Sequence, residues 1–347
     1  MSSVGQPATG GERLGFLDGW RGVAIFLVLL GHFVPSPVLS TGRLGVELFF
    51  VLSGRLMAEI LFVRQVPFGR FYQRRISRIL PALWVYCLTM WALTAIFPVF
   101  NVQAVDVLQA LTFTLNYFRA GSDGMSTHID QVWSLCIEEH AYVFLSLVAL
   151  GHRRWNWNPG IILWCVAWLA AANGAVQTWL LHMNYYEVFW RTDVRIAAVL
   201  FSAASYLTIR PYLETRPGRF RTLLPLVAGV LGLALNTYPV PDPIKHSLGT
   251  LLLAISVTTV DFAFAPLLAA LELKAIQLLG VWSFSLYLWQ QPFAALHNEQ
   301  NSLLYMALLF IPALASFYLV ENPAREFLNR SAGRLFGARP APVESAP

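Results

Sequence analysis

An arginine and a histidine eleven residues apart, inside one apolar run, are the pair best suited to chemistry in this chain. In LDGWRGVAIFLVLLGHF they are Arg21 and His32. At about 100° per residue, eleven residues return to within about 20° of the same helix face, with an axial separation of ~16 Å. A neutral imidazole accepts a proton near pH 7. A guanidinium holds an anion or offsets developing negative charge. Each also has an ordinary role. An arginine snorkels at a membrane boundary, and a histidine hydrogen-bonds between packed helices.

Other runs place ionisable groups where lipid would penalise them, which makes them functional candidates. VWSLCIEEHAYVF sets Glu138, Glu139 and His140 together, with Glu138 and Tyr142 on one helix face. FYQRRISRILP projects Arg75 and Arg78, three apart, from the start of a helix. Two guanidiniums there suit phosphate groups, or anchor the chain against anionic lipid. In GRLGVELFFVLSGRLMAEILF, Glu47 lies early, and Arg55 and Glu59 have the spacing of an ion pair on one face. FWRTDVRIAAVLF carries Arg191, Asp193 and Arg195. GVWSFSLYLWQQPF carries a stripe of Ser, Tyr, Trp and Gln that lipid would not favour. No P-loop, dinucleotide fingerprint or metal-ligand cluster is present in the sequence, so no metal is expected. Cys87, Cys136 and Cys165 are odd in number and read as small buried apolar residues.

The elements that position these groups follow from composition. Hydrophobic residues make up 56% of the 347 and charged residues 12%, about half the charged share of soluble domains. An all-α polytopic membrane protein is the expected fold class. Windows of roughly 20 apolar residues predict ten spans, at about 17–34, 45–63, 79–97, 131–150, 160–181, 192–209, 222–237, 246–261, 276–293 and 302–320. The stretch 98–130 holds an apolar piece, VLQALTFTLNYF, that lies in the interface or re-enters, and 262–274 is a loop or an interfacial segment. Arginines cluster in the even-numbered connections, most densely in RQVPFGRFYQRRISR, which puts both termini in the cytoplasm. The net charge of +5 therefore reflects topology, and nucleic acid is not an expected partner. Residues 1–16 form a cytoplasmic segment with no signal-peptide pattern, 17–323 the membrane domain, and 324–347 a cytoplasmic tail expected to be disordered.

Taken in order, these motifs resemble the acyltransferase-3 superfamily of bacterial membrane O-acyltransferases. The carrying stretches are LDGWRGVAIFLVLLGHF, GVELFFVLSG, FYQRRISRILP, VWSLCIEEHAYVF, TDVRIAAVLF, WSFSLYLWQQP and VENP, spread over residues 17–323. The family's basic residue–ten residues–histidine motif falls on Arg21 and His32, its Arg-x-x-Arg motif on Arg75 and Arg78, and its Trp-Ser-Leu…Glu motif on Trp133, Ser134, Leu135 and Glu138. The resemblance implies a ten-helix core in the bacterial inner membrane, a cytoplasmic acyl-CoA donor and a catalytic histidine. Three positions depart from the family pattern: Arg55, Ala141 and Gln290. Gln290 stands where relatives often have histidine, and it cannot transfer a proton.

The expected reaction is O-acetylation of a hydroxyl on a cell-envelope sugar or polysaccharide. His32 is the expected general base, Glu138 its orienting carboxylate, Arg21 a donor-holding or charge-offsetting group, and Arg75 and Arg78 the ligands of the CoA phosphates. Acylation of a secreted small molecule such as an antibiotic is the alternative acceptor. In a different class, intramembrane Arg, His and Glu would line the path of a transporter of an anionic solute.

Overall fold

The computed structural model describes residues 15–120 and 127–335. Among them there is no strand, only an isolated bridge between Leu39 and Thr237. The helices are α1 (Gly15–Phe33), α2 (Thr41–Ala58), α3 (Phe68–Thr94), the short α4 (Ala104–Leu111) and α5 (Leu115–Arg119), and α6 (Trp133–Trp155). They continue with α7 (Pro159–Trp179), the short α8 (Tyr185–Phe189), α9 (Thr192–Glu214), α10 (Arg219–Leu235), α11 (Asp242–Ile244) and α12 (Thr250–Thr259). The last are α13 (Ala265–Leu271), α14 (Lys274–Leu296), α15 (Ser302–Leu308), α16 (Phe310–Ser316) and α17 (Asn322–Leu335).

Seven helical stretches among the described residues are long and apolar enough to cross a membrane. An eighth results if α13 and α14, bent by 51° at their junction, count as one span. Two further expected spans also fold as helices. However, α2 carries Arg43, Glu47 and Arg55, and α10 is only 17 residues long. Much of the outer surface is apolar, including Trp84, Trp91, Leu147, Leu169 and Leu319. Exposed apolar surface on this scale suits lipid, and the chain is a multi-pass membrane protein.

Local signals explain where the elements begin and stop. Asn158 caps α7 by accepting from the Ile161 amide, with Pro159 in the first turn. Asn184 and Glu187 form a capping box that starts α8. Asn156, in the left-handed region at φ 56°, ends α6. π-Helical turns follow α2 at Glu59–Val63 and α16 at Phe317–Glu321, and Lys245–Gly249 precedes α12. Such turns shift the register of the side chains that follow.

Packing between α1 and α14 depends on the absence of side chains. A Cβ at Gly22 would overlap the Ile276 carbonyl oxygen, and one at Gly280 the Asp18 carbonyl oxygen. Close backbone approach at small residues is a usual way to join helices in lipid. The core runs through α1, α2, α6, α9 and α14, and a second apolar cluster joins α3 and α4 to the start of α6.

Two expectations need correction here. The tail does not become irregular at 324: α17 runs to Leu335 and docks on α3. There the Gln73 amide donates to Asn329 Oδ1 at 3.1 Å and the Ser77 hydroxyl to the same oxygen at 3.3 Å. Residues 336–347 and 1–14 lie outside the described residues. Cys87 and Cys136 are buried as expected, but Cys165 is exposed on the apolar face of α7. The 98–120 connection forms α4 and α5, tied by Arg119 to Asp106 at 2.6 Å and to Asp130 at 2.9 Å.

Candidate active site: two adjoining cavities

Arg21, Arg75, Arg78 and Glu138 line one cavity of about 110 Å³. Helix α1 supplies Arg21, α3 the other two arginines, α6 Glu138, and α14 Ser283 and Tyr287. The arginines are not equivalent. Arg75 donates from Nε to Glu139 at 2.7 Å and from Nη2 to Glu138 at 3.1 Å, and its guanidinium lies 3.5 Å from the centroid of the Tyr142 ring. The Tyr142 hydroxyl donates to Glu138 at 2.7 Å, using the shared face expected from their spacing. Arg21 is paired with Asp18 at 2.9 Å. Arg78 makes no hydrogen bond or ion pair among the described residues, although Glu321 and Arg21 lie within electrostatic reach.

His32 lines a second cavity of about 170 Å³ together with Arg43, Gln131, Trp133, Tyr185 and Gln290. It makes no hydrogen bond or ion pair among the described residues. Val46 and Tyr287 line both cavities, so the two meet at these side chains. The Tyr287 hydroxyl is held by the Gln131 carbonyl at 2.9 Å and the Ser134 hydroxyl at 2.7 Å. The Gln131 amide donates to the Tyr86 hydroxyl at 2.7 Å and the Leu288 carbonyl at 2.9 Å, which fixes the entry to α6 against α14. On the far wall, Asn116 donates to the Trp190 carbonyl at 3.1 Å and the Thr192 hydroxyl at 3.0 Å.

Three sequence expectations change with this geometry. Glu138 does not orient His32: the two line different cavities, and Glu138 is taken up by Arg75 and Tyr142. Arg75 and Arg78, expected as equivalent arginines, differ: two carboxylates occupy Arg75, while Arg78 has no such partner among the described residues. Arg55 does not pair with Glu59. It is buried against α12, donating to the Val257 carbonyl at 2.5 Å and lying 3.6 Å from Asp261, while Glu59 pairs with Arg64.

Sequence reasoning did not single out Tyr287, Gln131 or Arg43. The signal for the first was present, since Ser283, Tyr287 and Gln290 recur at i, i+4 and i+7 in the polar stripe of α14, and that face turns to the cavities. The chain also closes Glu47, Arg195, Thr250 and His246 into one buried cluster. Arg195 pairs with Glu47, the Thr250 hydroxyl donates to Glu47, and Arg195 lies 2.5 Å from His246 Nδ1.

A family model described as an acyltransferase domain matches residues 14–321. Among similar proteins, a peptidoglycan O-acetyltransferase OatA of Listeria monocytogenes is 27% identical, over 91% of this chain and 57% of its own length. An O-acetyltransferase OatA of Staphylococcus aureus is 25% identical, over 89% of this chain and 57% of its own. A putative O-acetyltransferase of Staphylococcus aureus is 26% identical, over 53% of this chain and 33% of its own. The chain thus spans about half the length of the two OatA proteins it matches. No solved structure matches it.

Proposed function

From the premise that this chain belongs to the acyltransferase-3 family, we propose that it is an O-acetyltransferase that moves an acetyl group from acetyl-CoA to a hydroxyl of a cell-envelope glycan. The observation that carries this reading is the meeting of the two cavities at Val46 and Tyr287, with the unpartnered Arg78 in one and His32 in the other. Arg78 would hold the donor phosphates through charge-assisted hydrogen bonds, with Arg21, paired to Asp18, adding positive potential in the same cavity. The thin arm bearing the thioester would reach past Val46 and Tyr287 toward His32. The Listeria monocytogenes relative, a peptidoglycan O-acetyltransferase, supports a glycan acceptor.

His32 takes the proton of the acceptor hydroxyl as its oxygen bonds to the thioester carbonyl carbon. The tetrahedral adduct collapses, the C–S bond breaks, and the proton passes to the departing thiolate. The products are an acetate ester and free CoA thiol. Arg75 then serves as a positioning group that holds Glu138 in the cavity wall, with Glu139 as its second carboxylate.

The topology that goes with this reading has ten spans and cytoplasmic termini in the bacterial inner membrane. Seven clear spans, the bent α13–α14 pair, α2 and α10 together make up that number. With native cysteines replaced, cysteine labelling at Gln65 and Asn298 should place the two on opposite faces.

The deciding experiment supplies labelled acetyl-CoA and peptidoglycan glycan strands to the full chain reconstituted in vesicles, with ester formation read by mass spectrometry. Labelled ester that depends on the protein is the expected result. Folded protein that forms no ester would overturn the reading.

A further inference from the structure

The His32 cavity carries a positive charge that nothing in the described protein neutralises. The Arg43 guanidinium lies 4.0 Å from the centroid of the Tyr185 ring and 5.8 Å from that of Phe189. Stacking on aromatic faces holds a guanidinium in place without cancelling its charge. Arg43 makes no hydrogen bond or ion pair among the described residues, and no carboxylate lines this cavity. The nearby acids are already used. Asp242, in the adjoining cavity across Tyr185, is paired with Lys245 at 3.0 Å, and Glu47 is paired with Arg195.

A second observation at the same wall points to a ligand rich in hydrogen-bond donors. Gln131 and Gln290 are each 1% exposed, and each has a carboxamide oxygen with no donor partner. The buried Tyr185 hydroxyl is likewise unpartnered. Buried polar atoms are costly unless something satisfies them. Sugar hydroxyls have the right chemistry, and Trp133, Tyr186 and Trp190 provide apolar faces for the C–H side of a pyranose ring.

We propose that the second cavity is the acceptor subsite and selects an acidic sugar, with the sugar's carboxylate on Arg43, its hydroxyls on Gln131 and Gln290, and the accepting hydroxyl beside His32. This rests on the transferase reading and adds the class of sugar to it. A guanidinium fork matches a carboxylate in two parallel hydrogen bonds. A neutral sugar would leave both the fork and the cavity charge unanswered.

The test uses the full chain in detergent and reads binding before catalysis. Three probes of equal length are compared: a peptide-free alternating N-acetylglucosamine–N-acetylmuramic acid oligomer, its methyl ester, and a neutral N-acetylglucosamine oligomer. The acid should bind at least roughly tenfold tighter than the ester or the neutral oligomer. Arg43→Gln should bring all three to similar affinity, and Arg43→Lys should keep part of the preference. Equal binding of acid and ester by the parent protein overturns the proposal, and this comparison needs no variant to fold. A preference that survives in Arg43→Gln overturns it too. Transfer from acetyl-CoA is then measured with the same probes. Selective binding of the acid with no ester formed would refute the transferase reading and leave the subsite standing. Ester formed equally on all three, with equal binding, would refute the subsite alone.

Discussion

The Glu47–Arg195 cluster and the pair of cavities beside it are both charged and both inside the helical bundle, yet they spend their charge differently. In the cluster, the side chains of Arg195 and Glu47 are 1% and 3% exposed and neutralise each other, with Thr250 and His246 completing the contacts. In the cavities, Arg75 is matched by two carboxylates, but Arg78 and Arg43 are left over, and the His32 imidazole has no partner among the described residues. A buried charge that finds its partner within the protein closes the structure. Breaking such a pair is expensive because the other charge stays behind. A charge that faces a cavity without a partner is available to a ligand. The contrast separates structural from functional groups more sharply than burial alone.

The largest effect should come from breaking the closed cluster. Glu47→Ala strands Arg195 in an apolar environment, a loss of about 3–5 kcal/mol for a buried pair. Little folded protein should survive solubilisation, as read by size-exclusion profile and thermal melting. A Glu47→Ala protein that melts like the parent would erase the distinction drawn above.

His32→Ala should do the opposite, leaving melting unchanged while activity per folded molecule falls about 10²–10⁴-fold, the usual loss of a general base. If that activity stays within a few-fold of the parent, His32 is a packing residue and the proposed mechanism is wrong.

The two arginines of α3 should separate next. Arg78→Ala is expected to raise the apparent KM for acetyl-CoA by about tenfold, the scale of one charge-assisted contact, with the acceptor KM held. Arg75→Ala should instead lower stability and kcat, because it releases Glu138 and Glu139. Steady-state kinetics with each substrate varied distinguishes these patterns, and identical behaviour of the two variants would return them to a single phosphate-binding pair.

The smallest effect belongs to the α17 contact. Asn329→Ala removes the acceptor for Gln73 and Ser77, and one partly buried hydrogen-bonding group contributes about 0.5–1.5 kcal/mol. A modest drop in melting temperature with normal kinetics is expected. A loss of activity would instead tie α17 to the site.

What the amino-acid sequence determined by itself is what depends on neighbours a few residues away. The apolar runs became helices, Glu138 and Tyr142 met four residues apart, and Ser283, Tyr287 and Gln290 fell on one face. These follow from the 3.6-residue period and from hydropathy, both local properties. The resemblance to known acyltransferases, carried by short motifs in a set order, was legible for the same reason.

Only the tertiary structure decided which charges would be used up. Arg75 meets Glu138 and Glu139 more than sixty positions away, Glu47 meets Arg195 across 148, and Arg55 turns from the near Glu59 to the distant Asp261. The helix that continues through 324–335 likewise docks on α3 through Gln73 and Ser77, contacts that lie far apart in sequence. Such pairings depend on how helices rotate about their axes and how closely glycines such as Gly22 and Gly280 let them approach. Spacing along one helix carries no information about that rotation. The difference between a spent arginine and an available one therefore appears only once the bundle is assembled.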